Sequence, residues 1–171
     1  MKRIGTLLLL CCIGLGMQAQ GYRTPGYKGS VSLADMGYAF IGVETSHGYM
    51  LSENHYLGAG AGAYIFPDGK DYPTFGIAFI DYQAYLLDKK STPFLGCKVG
   101  AFHVFKRTVR DGVAFVEDAV MAEPGVGWTW GLTSGQGLSV SLGLPVLFPV
   151  GNNYGHKKVY TAPHILFTFE F

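Results

Sequence analysis

Five charged side chains lie inside segments that are otherwise apolar and alternating, although charged residues make up only 15% of this chain. They are Glu44, Asp81, Lys98, Glu123 and Glu170. Paired carboxylates can act as general acid and base, and charges of both signs can line a pore. The same residues can also form an internal network of ion pairs and hydrogen bonds, because buried charges must be paired. Which of these three roles the five residues have depends on the secondary-structure elements that position them.

Other signatures of a reactive site are missing from the sequence. It contains no phosphate-binding loop, no zinc motif and no nucleophile elbow. The five histidines include no pair with the spacing of metal ligands. We therefore predict no catalytic, cofactor-binding or metal site, and we expect that the protein is not an enzyme.

The elements that carry these residues follow a period of two. In the C-terminal segment Phe167, Phe169 and Phe171 alternate with Thr168 and Glu170, whereas a helix would scatter the phenylalanines around its circumference. Similar alternation occurs in seven earlier segments, 27–35, 39–51, 55–66, 74–87, 92–105, 117–130 and 137–149. The sequence therefore predicts an all-β fold of eight antiparallel strands.

Three prolines conflict with this assignment. Pro124, Pro145 and Pro163 fall within or beside the expected strands. Proline has no N–H to donate to a neighbouring strand, so each of the three requires a bulge or a strand end.

Length and composition limit the class of protein. With 171 residues, one domain is expected. The high aromatic content and low charge exclude a disordered chain. A net charge of +1 argues against a nucleic-acid partner, and no apolar run after the N-terminus is long enough for a membrane helix.

The N-terminus has the layout of a secretory signal peptide. Lys2 and Arg3 precede an apolar run over 4–16, and Ala19 suits the position before cleavage. We predict a signal peptide over 1–19 and a barrel domain over 20–171. A membrane anchor or lipidation at Cys11 are the alternatives, but the run is short and Leu10 is not a small residue. Removal of the signal would leave Cys97 as the only thiol, which excludes an internal disulfide.

The connections between the strands alternate in length. Short turns are expected at 52–54, 88–91 and 132–136, and longer links at 67–73, 106–116 and 150–160. The link between the first two strands is short and breaks this contrast. An up-and-down barrel with tight turns at one end and longer loops at the other is typical of outer-membrane proteins.

The two faces of the strands indicate which side meets lipid. One face is rich in Leu, Val, Phe and Trp, whereas the other carries Gly and Ser with the five charged residues. Because an eight-stranded barrel is narrow, we place the second face inside, where small residues make room and the charges form a network. An aromatic girdle is expected near the membrane interfaces from Tyr49, Tyr82, Trp128, Trp130, Phe169 and Phe171.

Several short motifs resemble a family of small outer-membrane β-barrel proteins. They include residues 26–29, 45–49, 57–62, 87–90, 93–94 and 98–100, and the terminal Phe167-Thr168-Phe169-Glu170-Phe171. The resemblance covers the whole mature chain and implies an eight-stranded outer-membrane barrel of the porin superfamily type, mostly without an assigned activity. It also implies that the C-terminal strand, through Phe167, Phe169 and Phe171, is the signal read by the barrel-assembly machinery. The long links 106–116 and 150–160 depart from the family pattern.

The function expected on these grounds is a structural or surface-interaction role in the outer membrane, without an open diffusive pore. The partners are outer-membrane lipid and lipopolysaccharide, no cofactor is expected, and the protein is predicted to be a monomer. One alternative is a soluble exported barrel that holds a lipophilic ligand in an apolar interior. The other is a lipid-modifying enzyme using lipid-facing His47 or His103, but Ser46 next to His47 points to the opposite face.

Basic residues in two expected external loops have two interpretations. Lys106, Arg107 and Arg110, with Asp111 beside them, and the run at 156–158 could contact lipopolysaccharide phosphates. We favour ordinary solvated loops.

Overall fold

The computed structural model describes residues 24–37, 40–67, 74–105, 109–110, 113–114, 118–132, 136–150 and 159–171. The strands within these ranges are β1 Gly26–Met36, β2 Phe40–Ser52, β3 His55–Ile65, β4 Phe75–Tyr85, β5 Ser91–Val104, β6 Val109–Arg110, β7 Val113–Ala114, β8 Ala119–Gly131, β9 Gly137–Gly143, β10 Val146–Pro149, β11 Tyr160–Thr161 and β12 His164–Glu170. Across these ranges no helix is long and apolar enough to cross a membrane.

The main sheet closes on itself. Antiparallel pairing runs from β1 through β2, β3, β4, β5, β8, β9 and β12, and β12 pairs again with β1. β10 continues β9, and β11 leads into β12, along the same registers. The described residues thus form the eight-stranded up-and-down barrel that the sequence predicted.

We call the junction between β1 and β12 the seam. Its backbone hydrogen bonds continue up to Phe171. The Gly29 N–H donates to the Phe171 carbonyl at 2.7 Å, and the Phe171 N–H donates to the Gly29 carbonyl at 2.9 Å. From there the register continues to Met36 opposite His164. Closure satisfies backbone groups that an open edge would leave without partners.

The three prolines lie at interruptions of the sheet, not at bulges. Pro145 separates β9 from β10, and Pro163 separates β11 from β12. Pro124 lies inside β8 directly opposite the first gap, where the Leu144 N–H donates to its carbonyl at 2.9 Å. Pro124 has no N–H with which to donate the reciprocal hydrogen bond. That missing bond falls where the opposite strand is already interrupted.

The apolar face of the strands is on the outside. Leu33, Phe167 and Val126 expose 62%, 60% and 54% of their surface, although all three are large and hydrophobic. Ser30, Ser32 and Ser139 are buried on the opposite face. The predicted orientation is therefore correct.

The two ends of the barrel differ. We call the end with the connections at 53–54, 86–90 and 132–136 the turn end, and the other the loop end. Five residues of the expected girdle lie on strands near the turn end, and the sixth, Phe171, directly follows β12; Tyr27 on β1 lies beside them. Tyr27 packs edge-on against Tyr49, and the Trp128 indole donates to Ser91 Oγ at 2.9 Å.

Inward glycines make room for aromatic rings. A Cβ built on Gly42 would come within 2.4 Å of the Tyr64 ring, and one on Gly127 within 2.4 Å of Phe94. A Cβ on Gly58 would meet the Tyr56 hydroxyl at 2.1 Å. The glycine-rich face is therefore required by the narrow interior.

Buried apolar side chains form two clusters in the lumen, one near each end, within the described part of the chain. The loop-end cluster consists of Ala34, Met36, Tyr64, Phe75, Ile77, Phe79, Phe102, Val104, Ala119, Met121, Leu147 and Leu166. The turn-end cluster consists of Met50, Tyr56, Tyr85 and Phe94. The polar middle of the lumen lies between these two clusters.

The link at 106–116 differs from the simple loop that was expected, because β6 and β7 form a short hairpin there with Val109 opposite Ala114. The predicted signal peptide and the basic residues at 106, 107 and 156–158 lie outside the described residues, as does the side chain of Arg110.

Candidate functional site in the barrel lumen

The five charged residues singled out from the sequence all point into the lumen. Glu44, Asp81, Glu123 and Glu170 retain between 2% and 5% of their exposure, and the Lys98 side chain retains 13%. They come from five different strands, β2, β4, β5, β8 and β12. The closed sheet therefore brings together residues that are far apart in sequence.

Lys98 lies at the centre of the first group. Its ammonium donates to Glu44 Oε2 and lies 3.9 Å from Glu123 Oε1. In the register of the sheet Lys98 is also directly opposite Asp81 on one side and Glu123 on the other. One cation thus serves several buried carboxylates.

A chain of hydrogen bonds extends this group across the barrel. The Tyr64 hydroxyl donates to Glu44 Oε1 and lies 2.8 Å from Nε2 of the fully buried His164. The other ring nitrogen of His164, Nδ1, lies 2.9 Å from Glu123 Oε1. Tyr64 and His164 thus link Glu44 on β2 to Glu123 on β8 through the interior of the barrel.

Lys28 lies at the centre of a second group nearer the turn end. Its ammonium is 3.1 Å from Glu170 Oε2 and also contacts the Tyr85 hydroxyl. It lies 5.1 Å from the centre of the Tyr56 ring and 4.8 Å from that of Tyr85, within the range of a cation–π interaction.

Asp81 connects the two groups. Its Oδ2 accepts from Ser46 Oγ at 3.0 Å and from Gln83 Nε2 at 3.1 Å. Gln83 Oε1 in turn accepts from Tyr85 at 2.8 Å. Asp81 is therefore hydrogen-bonded toward the second group and lies directly opposite Lys98 of the first in the register of the sheet.

Little free space remains in this network. The cavity among these side chains has a volume of about 50 Å³, lined by residues such as Lys28, Glu123 and Glu170. That volume is enough for a few water molecules. Glu123 Oε2 is buried without a hydrogen-bond partner among the described residues, so it is the natural place for one of them.

The sequence analysis missed two members of the network, Lys28 and His164. Both residues face inward. Lys28 lies on the same face of β1 as the buried Ser30, and His164 lies on the same face of β12 as the buried Glu170. Four carboxylates assigned to the interior with a single lysine already required a further partner such as Lys28. The alternation of residues along β1 and β12 could have identified both Lys28 and His164 as inward-facing.

Comparison with known proteins supports the architecture. The N-terminal β-barrel domain of Pseudomonas aeruginosa OprF matches with a TM-score of 0.60 and 15% identity, over 89% of this chain and 100% of that chain. Neisserial surface protein A, NspA, matches with a TM-score of 0.52 and 12% identity, over 84% and 91%. No protein-family model and no curated protein matches the sequence.

This chain has the fold of a small outer-membrane β-barrel. The resemblance inferred from the sequence motifs is therefore confirmed at the level of the fold.

Neither His47 nor His103, the two histidines expected to face lipid, forms a histidine–serine pair among the described residues. His47 lies 2.6 Å from the Tyr27 hydroxyl and 2.8 Å from Thr45 Oγ1, whereas Ser46 points inward to Tyr56 and Asp81. His103 pairs with Asp118 at 2.7 Å.

The network is suited to filling the lumen, because its members bond mainly to one another. No set of three or more His, Cys, Asp and Glu side chains in the described ranges is arranged to hold a metal ion.

Proposed function

We propose that the protein is an integral outer-membrane barrel with a structural or surface-interaction role. The observation that carries the proposal is the reversed distribution of polarity, with large apolar side chains outside and charged side chains inside. In water this arrangement would expose the apolar surface and bury the charges. In a bilayer it places each face in a matching medium.

The dimensions of the barrel support the same proposal. β1, β3 and β4 each contain 11 residues. At about 3.4 Å per residue and a tilt of about 40°, such a strand rises roughly 28 Å. The apolar band of outer-membrane barrels is about 25 Å high. Tyr49, Trp128 and Trp130 near the turn end would lie at one interface, where amphipathic aromatic rings are favoured.

We further propose that the lumen does not conduct solutes and that the protein performs no catalysis. The apolar clusters and the ion pairs occupy the interior, and open porin lumens need about sixteen strands. The proposed partners are outer-membrane lipid, lipopolysaccharide at the loop end, and the barrel-assembly machinery through Phe171. We retain the signal peptide over 1–19 and the monomeric state as predictions. A soluble carrier of lipophilic ligands is disfavoured, because the middle of the lumen is polar.

Cys97 provides a direct test of the lipid-facing surface. It is exposed near the middle of β5, so its thiol would lie in hydrocarbon. Because thiolate formation requires a polar environment, a water-soluble maleimide should modify Cys97 very slowly in phospholipid vesicles. Mass spectrometry of the modified peptide measures the rate. After unfolding in urea, Cys97 should react at the ordinary rate of a free thiol.

The matched control is Asp88→Cys, which places a thiol in an exposed turn. That thiol should react quickly in vesicles under the same conditions. Equal rates at positions 88 and 97 in vesicles, or full solubility without detergent, would overturn the membrane assignment.

A further inference from the structure

Acidic groups outnumber basic groups in the part of the lumen that the structure describes. The acidic side chains are Glu44, Asp81, Glu123 and Glu170, and the ammonium groups are those of Lys28 and Lys98. Counting His164 as a cation as well would still leave four acids against three bases. Because an unpaired buried charge is costly, either one of the acids keeps its proton or a further cation is bound.

The oxygens of these acids differ in how well the protein satisfies them. Both oxygens of Glu44 are occupied, one by the Tyr64 hydroxyl and the other by the Lys98 ammonium. Glu123 Oε1 lies near His164 and Lys98. Glu123 Oε2, by contrast, is buried, and no hydrogen-bond partner reaches it among the described residues. A ligand for this oxygen must therefore come from the cavity that Glu123 lines.

Two glycines leave room beside Glu123. Gly125 and Gly143 lie opposite each other on β8 and β9, and both line the cavity of about 50 Å³ together with Glu123. A Cβ on Gly143 would collide with the Glu123 carboxylate. The volume of the cavity admits a small ion with one or two water molecules, but no large organic group.

The other polar groups on the wall near Glu123 include hard oxygen donors. Ser30, Ser139 and Ser141 have inward side chains that line the cavity. Oxygen ligands suit alkali and alkaline-earth cations, but Ca²⁺ takes about six to eight of them and Mg²⁺ requires a strict octahedron. No three His, Cys, Asp or Glu side chains in the described ranges are arranged around one metal ion. This wall therefore favours a monovalent cation over a divalent one.

We propose that the cavity binds one small monovalent cation such as Na⁺, held by Glu123 Oε2 and, directly or through water, by the serine hydroxyls. The charge of the ion offsets the excess of acids, which a water molecule in the same place would not do. The inference goes beyond the structural role proposed above and does not depend on the membrane location, because it concerns only the interior of the folded barrel. Since β1, β8 and β9 together form the site, unfolding should release the ion.

Unfolding in urea at different Na⁺ concentrations tests this proposal. The protein is refolded in zwitterionic detergent micelles at constant ionic strength, with Na⁺ replaced stepwise by choline, which has the same charge but is too large for the cavity. The fluorescence of Trp128 and Trp130 reports the equilibrium constant of unfolding. Above half-saturation, each tenfold increase in Na⁺ should lower this constant about tenfold, because one ion is released per chain.

A matched pair of substitutions locates the ion. Glu123→Gln removes the charge from the cavity and should abolish the difference between Na⁺ and choline, whatever its effect on stability. Glu53→Gln removes the same charge from an exposed turn and should keep the dependence on Na⁺. A purely structural role of Glu123 would instead lower stability in both salts and leave the dependence on Na⁺ intact.

The wild-type titration decides the proposal even if Glu123→Gln does not refold. Equal unfolding curves of the wild type in NaCl and choline chloride would overturn it and leave water or a protonated acid at the site. A dependence on Na⁺ that persists in Glu123→Gln, or that disappears in Glu53→Gln, would also contradict the site. None of these results bears on the membrane location, which the modification of Cys97 tests separately.

Discussion

Lys98 binds Glu44 and lies close to Glu123 in a part of the barrel that little water reaches. Taking charged groups out of water is costly, and close pairing must offset that cost. The contribution of Lys98 is therefore best judged by what its loss leaves behind, which is two buried carboxylates without their cation.

The substitution Lys98→Met should lower the free energy of unfolding by about 3–5 kcal/mol, because it leaves uncompensated buried charge. Urea unfolding in detergent micelles, followed through the fluorescence of Trp128 and Trp130, measures the change. Lys89→Met in an exposed turn is the control and should stay within about 0.5 kcal/mol of the wild type. If both variants unfold at the same urea concentration, the ion pairs contribute nothing.

At the residue scale the sequence reveals which side chains face inward but not which of them touch. Glu44, Lys98 and Glu123 could be assigned to one face from alternation alone. Their contacts depend on how far neighbouring strands are staggered around the barrel, and alternation within a strand carries no information on that stagger. The bond between Tyr64 and His164, residues one hundred positions apart, follows from closure of the sheet.

At the scale of the elements, the proline inside β8 lies opposite the break between β9 and β10. Pro124 has no N–H to donate, and the opposing chain is broken at Leu144 and Pro145 between β9 and β10. A proline two residues further along would be different, because Val126 pairs with Leu142 in an intact ladder.

A matched pair of substitutions tests whether β8 tolerates a proline only opposite this break. Pro124→Ala should change stability by less than about 1 kcal/mol, since one new hydrogen bond is offset by a more flexible unfolded chain. Val126→Pro should cost at least about 1–3 kcal/mol, because it leaves a carbonyl without its donor. Urea midpoints of the refolded barrels provide the comparison, and a larger loss in Pro124→Ala than in Val126→Pro would contradict it.

The strand boundaries themselves could be predicted closely. For example, β2 was expected over 39–51 and occupies Phe40–Ser52. The β6–β7 hairpin was not foreseen, because two-residue strands are too short to show alternation. The prolines were recognised as conflicts, but their alignment across β8 and β9 depends on the register between strands.

At the scale of the whole molecule, the backbone and the ring of Phe171 make separate contacts with Gly29. Its backbone makes both hydrogen bonds to Gly29 at the seam. Its ring lies against the same glycine, because a Cβ there would come within 2.5 Å of the Phe171 ring. A signal for assembly would be read from the ring, whereas closure requires only the backbone.

Phe171→Ala should therefore refold in detergent with a stability within about 2 kcal/mol of the wild type, since the seam bonds remain and only a partly buried ring is lost. In cells it should accumulate less in the outer membrane if Phe171 is the assembly signal. Deletion of Phe171 should impair both refolding and assembly. Heat-modifiable migration and membrane fractionation are the two measurements, and normal assembly of Phe171→Ala would refute the signal.

The clustering of buried side chains inside the barrel was only partly predictable at this scale. Low charge and small inward residues indicated a filled interior. That Phe75, Phe102 and Leu147 collect at one height, with a cavity beside them, depends on the stagger of all the strands together. Alternation predicts the face on which a residue lies, but it does not predict which residues of other strands lie beside it.

The paired seam at Gly29 and Phe171 also means that the folded ring has no intrinsic first strand. β1 and β12 are neighbours like any other two strands, so the direction of the chain determines only where synthesis starts and stops. A circularly permuted gene that joins the two termini and opens the turn at 53–54 should encode the same barrel with β3 leading. Comparing its refolding rate with that of the original order would show whether β1 or the seam forms early.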